Sequence, residues 1–501
     1  MLAAARTVAA FGILLQLAGF VKLLFIADYF GANALLDAYY LGLVMPTFLT
    51  AVSAATVQTA FVPAYVTARA HGEDASARAL GNLMLTWVGV SLAVVCVLLI
   101  AMRGFALPLL AQGSGAATRH ALQAVFVLLM WSAPLNALAD AGALLLNAEG
   151  RFAAAAFAPL SNVIVGVLVL IAFRSYGLDA LVWSLLAGLL VQCLVVFAAI
   201  RVAGIRVRPQ LTLAAVAPGL LGSVALPVLL SVAVGNLAPA FVQVFAARVG
   251  PGAISAMGYA SRLHSSLIQA IVMSVSLVLL PQFARLITQG RDAELRATLG
   301  RLFAATLLFA AAAVVLVAAG GPPAIRLLLE RGHFSAGDTA LVARVWLALT
   351  VGLFSMTWYI FMFRLLQARQ QAWVMLAINC VLLVANVALA VVLLRWGVAG
   401  VALSVAVTYT LIMWLCQRHI EKTLGRILSG AVTGFVVRAL LVNLVAYAVA
   451  VGWGKLVVGL GPLAVLSGQF LLVALANLLL ARTPPLSVPV LALLRREGRR
   501  A

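Results

Sequence analysis

FVPAYVTARAHGEDASAR (Phe61–Arg78) and LLPQFARLITQGRDAELR (Leu279–Arg296) decide the fold, because the second reads as a copy of the first. Pro63, Gly72, Asp74 and Arg78 fall on Pro281, Gly290, Asp292 and Arg296, each 218 residues on, without a gap. A second pair lies at nearly the same distance: LLNAEG around Asn147 against LLQARQ around Gln367. Breaker residues that recur in register between long apolar runs mark two homologous halves. In membrane proteins such halves are parallel or inverted repeats with a site between them.

Composition sets the solvent. Of 501 residues, 65% are hydrophobic and 9% are charged, more apolar surface than a water-soluble core can hide. The N-terminal run continues past Gln16 and Lys22 without a small-residue cleavage site, so it reads as a retained first span rather than a signal peptide. Cys96, Cys193, Cys380 and Cys416 stand singly in apolar runs, and the five histidines form no HExxH pattern, so neither metal nor cofactor is expected. The net charge of +20 does not point to nucleic acid, because its arginines are spread over short loops between spans.

A hydrocarbon core of about 30 Å needs roughly 20 apolar residues per helix. Breaks at Gly, Pro and charge clusters give fourteen expected spans: 5–29, 36–68, 76–102, 120–147, 152–174, 178–201, 213–246, 253–287, 295–320, 339–368, 371–394, 398–417, 431–453 and 461–481. With the N-terminus in the cytoplasm, twenty Lys and Arg residues fall inside and nine outside, which places both termini in the cytoplasm. Each half holds six spans, an even number, so the halves share one orientation. The fold class is therefore an all-α polytopic membrane protein: two parallel, pseudo-symmetric six-helix lobes (1–208 and 209–426), a two-helix hairpin (427–482) and a basic cytoplasmic tail (483–501).

Polar residues inside spans are the functional candidates. A charge at mid-membrane costs at least ~2.5–3.5 kcal/mol, so it should face protein or a watery cavity. Lys22 lies in GFVKLLF of the first span, either cavity-facing or snorkelling outward. Asp37 is its partner or an outer helix cap. Arg262, in YASRLHSSLIQ, has no acidic neighbour in sequence, and its planar fork suits phosphate oxygens. Asp140 is the one carboxylate well inside a span and is a candidate proton relay or counter-charge to Arg262. Gln16, Gln58, Asn236, Gln243, Gln269 and Asn386 read mainly as interhelical hydrogen-bonding residues. Pro46, Pro63, Pro227, Pro239 and Pro281 should bend their helices. The chain carries no GxxxxGK[ST] phosphate loop and no convergent set of nucleophile and base, so transport without covalent chemistry is the expected activity.

The opening GFVKLLFIADYFGANALLDAYYLGLVMP with TAFVPAY resembles the start of the MurJ (MviN) family, flippases of lipid-linked peptidoglycan precursors in the MOP superfamily. LLNAEGRFAAAAFAPLSN (Leu145–Asn162), LLPQFAR (Leu279–Arg285) and above all ERGHFSAGDTALVARVWLALTVGL (Glu330–Leu353) are similar to its later segments. The resemblance implies lobes around a cationic central cavity in the bacterial cytoplasmic membrane. A polyprenyl-diphosphate saccharide would be the substrate, its tail in a groove lined by the last two spans, with cell-wall synthesis proteins as candidate partners. Residue by residue, Lys22 matches a family arginine, Asp37 a family aspartate and Arg262 a family arginine, and with Gln16 these are the expected substrate-binding residues. Gln16 replaces an arginine, Leu23 replaces an aspartate, and TFLTAVSAAT after Pro46 lacks an arginine pair. Asn386 fits the region where some relatives bind sodium, but Ala390 one turn on supplies no carboxylate, so no sodium site is expected; Asp140 and Asn386 remain the coupling candidates.

By this reading an undecaprenyl-diphosphate saccharide moves from inner to outer leaflet by alternating access. Two negative charges leaving a negative interior gain roughly 4–5 kcal/mol at 100 mV, enough to dispense with ATP. Three rival readings stay open at this point: a flippase for an exopolysaccharide or O-antigen unit, a cation-coupled drug exporter, and a membrane scaffold without transport.

Overall fold

A computed structural model describes residues 2–205, 207–210 and 225–486, excepting the side chains of 2–6, 9, 225, 271, 273–278, 280, 281 and 458. Arg206, the tail from residue 487 on, and the side chains of Arg6 and Pro281 thus lie outside the described residues.

The described chain is helical. The first half runs α1 (Leu2–Phe30), α2 (Ala34–Gly42), α3 (Val44–Thr56), α4 (Val62–Ala70), α5 (Asp74–Ala101), α6 (Arg103–Leu110), α7 (Ala116–Met130), α8 (Ser132–Ala148), α9 (Phe152–Ala172) and α10 (Leu178–Val202). The second runs α11 (Ala225–Ala247), α12 (Ala253–Thr288), α13 (Asp292–Leu329), α14 (Ala336–Val351), α15 (Leu353–Ala368), α16 (Ala372–Leu393) and α17 (Gly397–Leu424). The hairpin α18 (Gly430–Leu456) and α19 (Pro462–Ala481) follows. Two compact units result: 1–255 with 331–335, and 256–330 with 336–501.

The repeat seen in the sequence recurs in the helix ends. α4 stops at Ala70 and α5 starts at Asp74; 218 residues on, α12 stops at Thr288 and α13 starts at Asp292. Both junctions close the same way: Glu73 N–H donates to Ala68 O and Gly72 N–H to Arg69 O, as Arg291 N–H does to Leu286 O and Gly290 N–H to Ile287 O. This left-handed cap satisfies the last carbonyls of a helix and favours glycine at the turn. The junctions after α8 and α15 use it too, with Gly150 in one and Gln370 in the other, 220 residues apart. Gln370, at φ 56°, is the one positive-φ residue among the described residues that is not glycine.

Length and apolarity alone give eleven spans among the described residues, or twelve with the bent pair α14–α15 joined, against the fourteen expected. One element in that count, Ala372–Leu424, is 53 residues long. At 1.5 Å per residue it would reach about 80 Å, well over twice a hydrocarbon core. A 3₁₀ turn at Leu394–Trp396 and the positive-φ Gly397 divide it into α16 and α17. α12 stands outside the count, as it includes side chains that are not described.

Proline explains two of the breaks. α2 and α3 part at Leu43, three residues before Pro46, and a π-helical turn at Val57–Phe61 precedes Pro63. Pro63 removes an N–H and its ring crowds the turn behind it, so the ladder shifts register there. The hairpin is held differently. Asn443 of α18 and Asn477 of α19 exchange hydrogen bonds of 3.2 and 3.1 Å. Gln469, also on α19, donates to Ala450 O at 3.1 Å and to Ala319 O of α13 at 3.4 Å. Val315, Ala446, Ala450 and Val473 fill the space between α13, α18 and α19. Small residues with carboxamide ties are how helices associate where the solvent is itself apolar.

Candidate functional site

α12 changes character along its length. Nearly all its first eight residues, Ala253–Ala260, are buried. From Arg262 onward one face opens: Arg262, Ser265, Ser266 and Gln269 are exposed, at spacings of three and four that put them on a single stripe. The opposite face, Leu263 and His264, is buried, and Leu267 and Ile268 pack on a cluster of Ala310, Ala313 and Leu353. Ser266 Oγ donates to Arg262 O at 3.1 Å, and no carboxylate pairs with Arg262 among the described residues. A stripe of guanidinium, hydroxyls and carboxamide is costly against acyl chains and suits contact with water or polar groups.

On the other side of α12 from the stripe, an apolar groove of about 450 Å³ lies between α12, α13, α14 and α19. Leu267, Phe309, Leu316, Trp346, Leu466 and Phe470 are among its walls. Of the last two helices, only α19 lines it. A separate groove of about 570 Å³ lies between α18 and α19.

In the first unit, Lys22 is half-buried on α1, which packs on α9. A methyl group at Gly166 would stand 2.8 Å from its Nζ and 3.3 Å from Ser184 Oγ. Glycine at 166 therefore makes the room the ammonium occupies, beside the Ser184 hydroxyl that donates to Gly166 O at 2.7 Å. Lys22 forms no ion pair among the described residues, and Asp37 is not its partner. Asp37, 2% exposed, accepts from Gly252 N–H at 2.6 Å, Ser255 N–H at 2.7 Å and Ser255 Oγ–H at 2.5 Å. It caps the N-terminus of α12 from α2, whose own cap is Asn33.

The remaining candidates divide. Gln16 and Asp140 are half-buried, and neither has a hydrogen-bond partner among the described residues. Asn386 is buried on α16 with its Oδ1 unpaired. Of the residues read as interhelical ties, Asn236 bonds to Val232 O on its own helix. Gln269 and Gln58 are exposed, Gln58 inside the π-helical turn, and among the described residues no hydrogen bond ties either to another helix. Ser265 and Ser266 were not singled out by the sequence reading, although their spacing from Arg262 is visible in it. Among the described residues no three His, Cys, Asp or Glu side chains gather to hold a metal.

Two polar clusters tie the ends of the first unit. At one, the 331–335 segment docks on α1: His333 N–H donates to Asp28 O at 2.9 Å. Added methyls at Gly31 and Gly332 would overlap His333 O and Asp28 respectively. At the other, Arg69 is held by Asp74 and, through Nε and Nη2 at 2.8 and 2.7 Å, by both oxygens of Glu149, which also accepts from Tyr65. The hydrogen bonds from Arg69 hold the Glu149 carboxyl below its ordinary range.

Comparison with known proteins adds the family. The family model "Lipid II flippase MurJ" matches residues 26–468. A protein of Rhizobium meliloti (strain 1021) described as "Probable lipid II flippase MurJ" is 30% identical over 353 residues, covering 66% of this chain and 63% of its own length. The chain's match thus spans under two thirds of that relative. A solved structure, "Lipid II flippase MurJ, inward closed conformation", superposes with a TM-score of 0.77 at 19% identity, over 95% of this chain and 98% of that one. An inward-facing multidrug resistance MATE family transporter of the MOP superfamily superposes with a TM-score of 0.69 at 14% identity, over 82% and 95%. These two likenesses speak for the fold alone.

Proposed function

The chain belongs to the MurJ family of lipid II flippases, and from that premise we propose that it moves an undecaprenyl-diphosphate-linked saccharide, lipid II, from the inner to the outer leaflet of the bacterial cytoplasmic membrane. One observation carries the reading: on α12 a guanidinium with no carboxylate partner among the described residues stands in an exposed stripe with two hydroxyls and a carboxamide. A lipid diphosphate needs that combination. Arg262 offers a planar fork to phosphate oxygens, while Ser265, Ser266 and Gln269 replace the water its sugars and phosphates lose. The polyprenyl tail takes the apolar groove between the last two helices, α18 and α19.

The lobes in this proposal are 1–208 and 209–426, with 427–482 as the appended hairpin, 483–501 as a basic tail, and both termini in the cytoplasm. Lys22 adds positive potential to the first lobe, seated against Gly166. Asp37 serves as the cap of α12 rather than as a substrate ligand, since its oxygens are already engaged. No covalent step is involved. Movement of the diphosphate's two charges down the membrane potential supplies roughly 4–5 kcal/mol at 100 mV. Cell-wall synthesis proteins, which supply and consume such a lipid, are the partners this activity calls for.

The test is lipid II accessibility in vesicles holding the purified chain. Arg262→Gln should slow its transfer at least tenfold while the protein stays folded, and Arg262→Lys should restore part of it, because a point charge still attracts phosphate but loses the bidentate fit. Transfer at the wild-type rate in Arg262→Gln would remove this helix face from the mechanism.

A further inference from the structure

Asp140 is an ionisable residue that the flippase reading leaves without a task. In α1, α8, α9 and α10, it and Lys22 are the Lys, Arg, Asp or Glu residues that lie more than two turns from either end of their helix. Both are half-buried, and neither has an ion pair or a hydrogen bond among the described residues. A polar seam between α9 and α10 joins their surroundings. Ser184 Oγ donates to Gly166 O at 2.7 Å beside the Lys22 ammonium, and Asn162 Nδ2 donates to Gln192 Oε1 at 2.7 Å. Cys193, next to Gln192, donates its thiol to Leu135 O of α8 at 2.9 Å and lies beside Asp140. From Ser184 to Gln192 the seam runs about 12 Å along α10. One acid and one base thus stand at its two ends, each without a local counter-charge.

The helices packed on α8 bring Asp140 no cation. α3 and α9 carry no titratable side chain. Those of α4, Tyr65 and Arg69, are engaged with Glu149 past the end of α8. α5 has Asp74 and Arg78 in its opening turns, and its Cys96 thiol donates to Met130 O. α7 has Arg119 and His120 in its opening turns, and α10 has Asp179 and Arg201 at its ends. Among the described residues, the Cys193 thiol is the titratable group set beside Asp140.

A carboxylate two turns inside a membrane helix, with neither cation nor donor, is neutralised most simply by a proton. Its charge state then sets the field of the unit. Ionised, Asp140 offsets Lys22; protonated, it leaves the Lys22 charge free to act on an anion. We propose that Asp140 is a proton-binding site linked to lipid binding: one proton joins its carboxylate as the anionic diphosphate enters and leaves as the lipid departs. Such linkage is reciprocal, so acid pH favours the lipid by the factor by which the lipid favours the proton. The inference rests on the flippase reading for its ligand and adds a proton to the binding step.

Two measurements on the full chain in nanodiscs test the assignment. Infrared difference spectra between alkaline and acid pH, taken without lipid II, should show a carboxylic-acid C=O band that Asp140→Asn removes and Asp140→Glu displaces. Calorimetry of lipid II binding, in buffers of different ionisation heat, should show about one proton taken up per lipid on the alkaline side of that titration. Asp140→Asn should take up none, and Asp140→Glu should restore the uptake. Wild-type affinity should rise at least fivefold from the alkaline to the acid side, the lower end of ordinary coupling between two sites, while that of Asp140→Asn stays constant. Gel filtration and circular dichroism of each variant establish that it is folded. A band unchanged in Asp140→Asn overturns the proposal, and so does equal proton uptake in Asp140→Asn and wild type. Wild-type affinity that is the same on both sides of the titration overturns it too. A wild type that shows the Asp140 band but binds no lipid II refutes the flippase reading and the link to it, not the proton site.

Discussion

Replacing Asp37 with alanine should loosen the start of α12 by about 3–5 kcal/mol. Asp37 accepts two backbone N–H groups, from Gly252 and Ser255, and one hydroxyl, all in a buried setting. Hydrogen bonds to a charged acceptor are worth about 1.5–3 kcal/mol each, and a buried donor left alone costs about 1–3 kcal/mol. The Ser255 hydroxyl has a second acceptor in Asn33 O at 3.3 Å, so its loss is partly made good. The two amides have none nearby, and they dominate the sum. Asp37→Asn keeps one acceptor but turns an amide toward a donor, so it should cost about 2 kcal/mol; Ser255→Ala, which spares both backbone bonds, should cost about 1 kcal/mol. Hydrogen exchange of the Gly252 and Ser255 amides reads this locally. About 3 kcal/mol corresponds to about two orders of magnitude faster exchange in Asp37→Ala, with Ser255→Ala accelerated less than tenfold. Equal exchange in the wild type and Asp37→Ala would show that the carboxylate does not cap the helix, and the account of how α12 is anchored would fall.

Three other outcomes follow from the same geometry. Gln370→Gly should raise thermal stability in detergent by about 0.5–1 kcal/mol, because a left-handed side chain costs about 1–2 kcal/mol and glycine's extra unfolded freedom returns part of the gain; Gly150→Gln, at the matching turn, should lower it by a similar amount. The Glu149 carboxyl is held low by Arg69, so its contribution is complete above the unfolded glutamate pKa of about 4.3 and disappears as pH falls through the lower folded value. Acid melts of Arg69→Gln should therefore converge with wild type below that range and fall short of it at neutral pH, with equal pH slopes refuting the pairing. Gly332→Ala should push the 331–335 segment off Asp28, seen as lost exchange protection of the His333 amide, since the added methyl meets both the backbone oxygen and the carboxylate of Asp28.

The fold was legible because its punctuation is sparse and repeated. Gly72, Asp74 and Arg78 recur at Gly290, Asp292 and Arg296, and the helix ends obey the same offset. The left-handed turn at Gln370 was not legible in that way, because the one residue type that announces such a turn is absent there. Arg262 was legible because charge is rare in a span. Its companions were not, since periodicity places Ser265, Ser266 and Gln269 on one face without telling water from a neighbouring helix. The seat of Lys22 depends on a side chain that does not exist: Gly166 makes room by lacking a Cβ, and many glycines in such a chain pack against nothing.

Asp37 presents the opposite case. Its partner Ser255 lies 218 residues away, too far for any local rule to join them, yet 218 is the very offset that aligns the halves. Asp37 stands in the first turn of α2 and Ser255 in the first turn of α12, the same place in each copy. One copy carries a carboxylate at this position and the other a small hydroxyl donor. Two carboxylates at this contact would repel, and two serines would leave the α12 amides without a charged acceptor. Divergence between equivalent positions is therefore what lets one helix cap the other here. Ser255→Asp, which would set a like charge against Asp37, should undo the cap more thoroughly than Ser255→Ala.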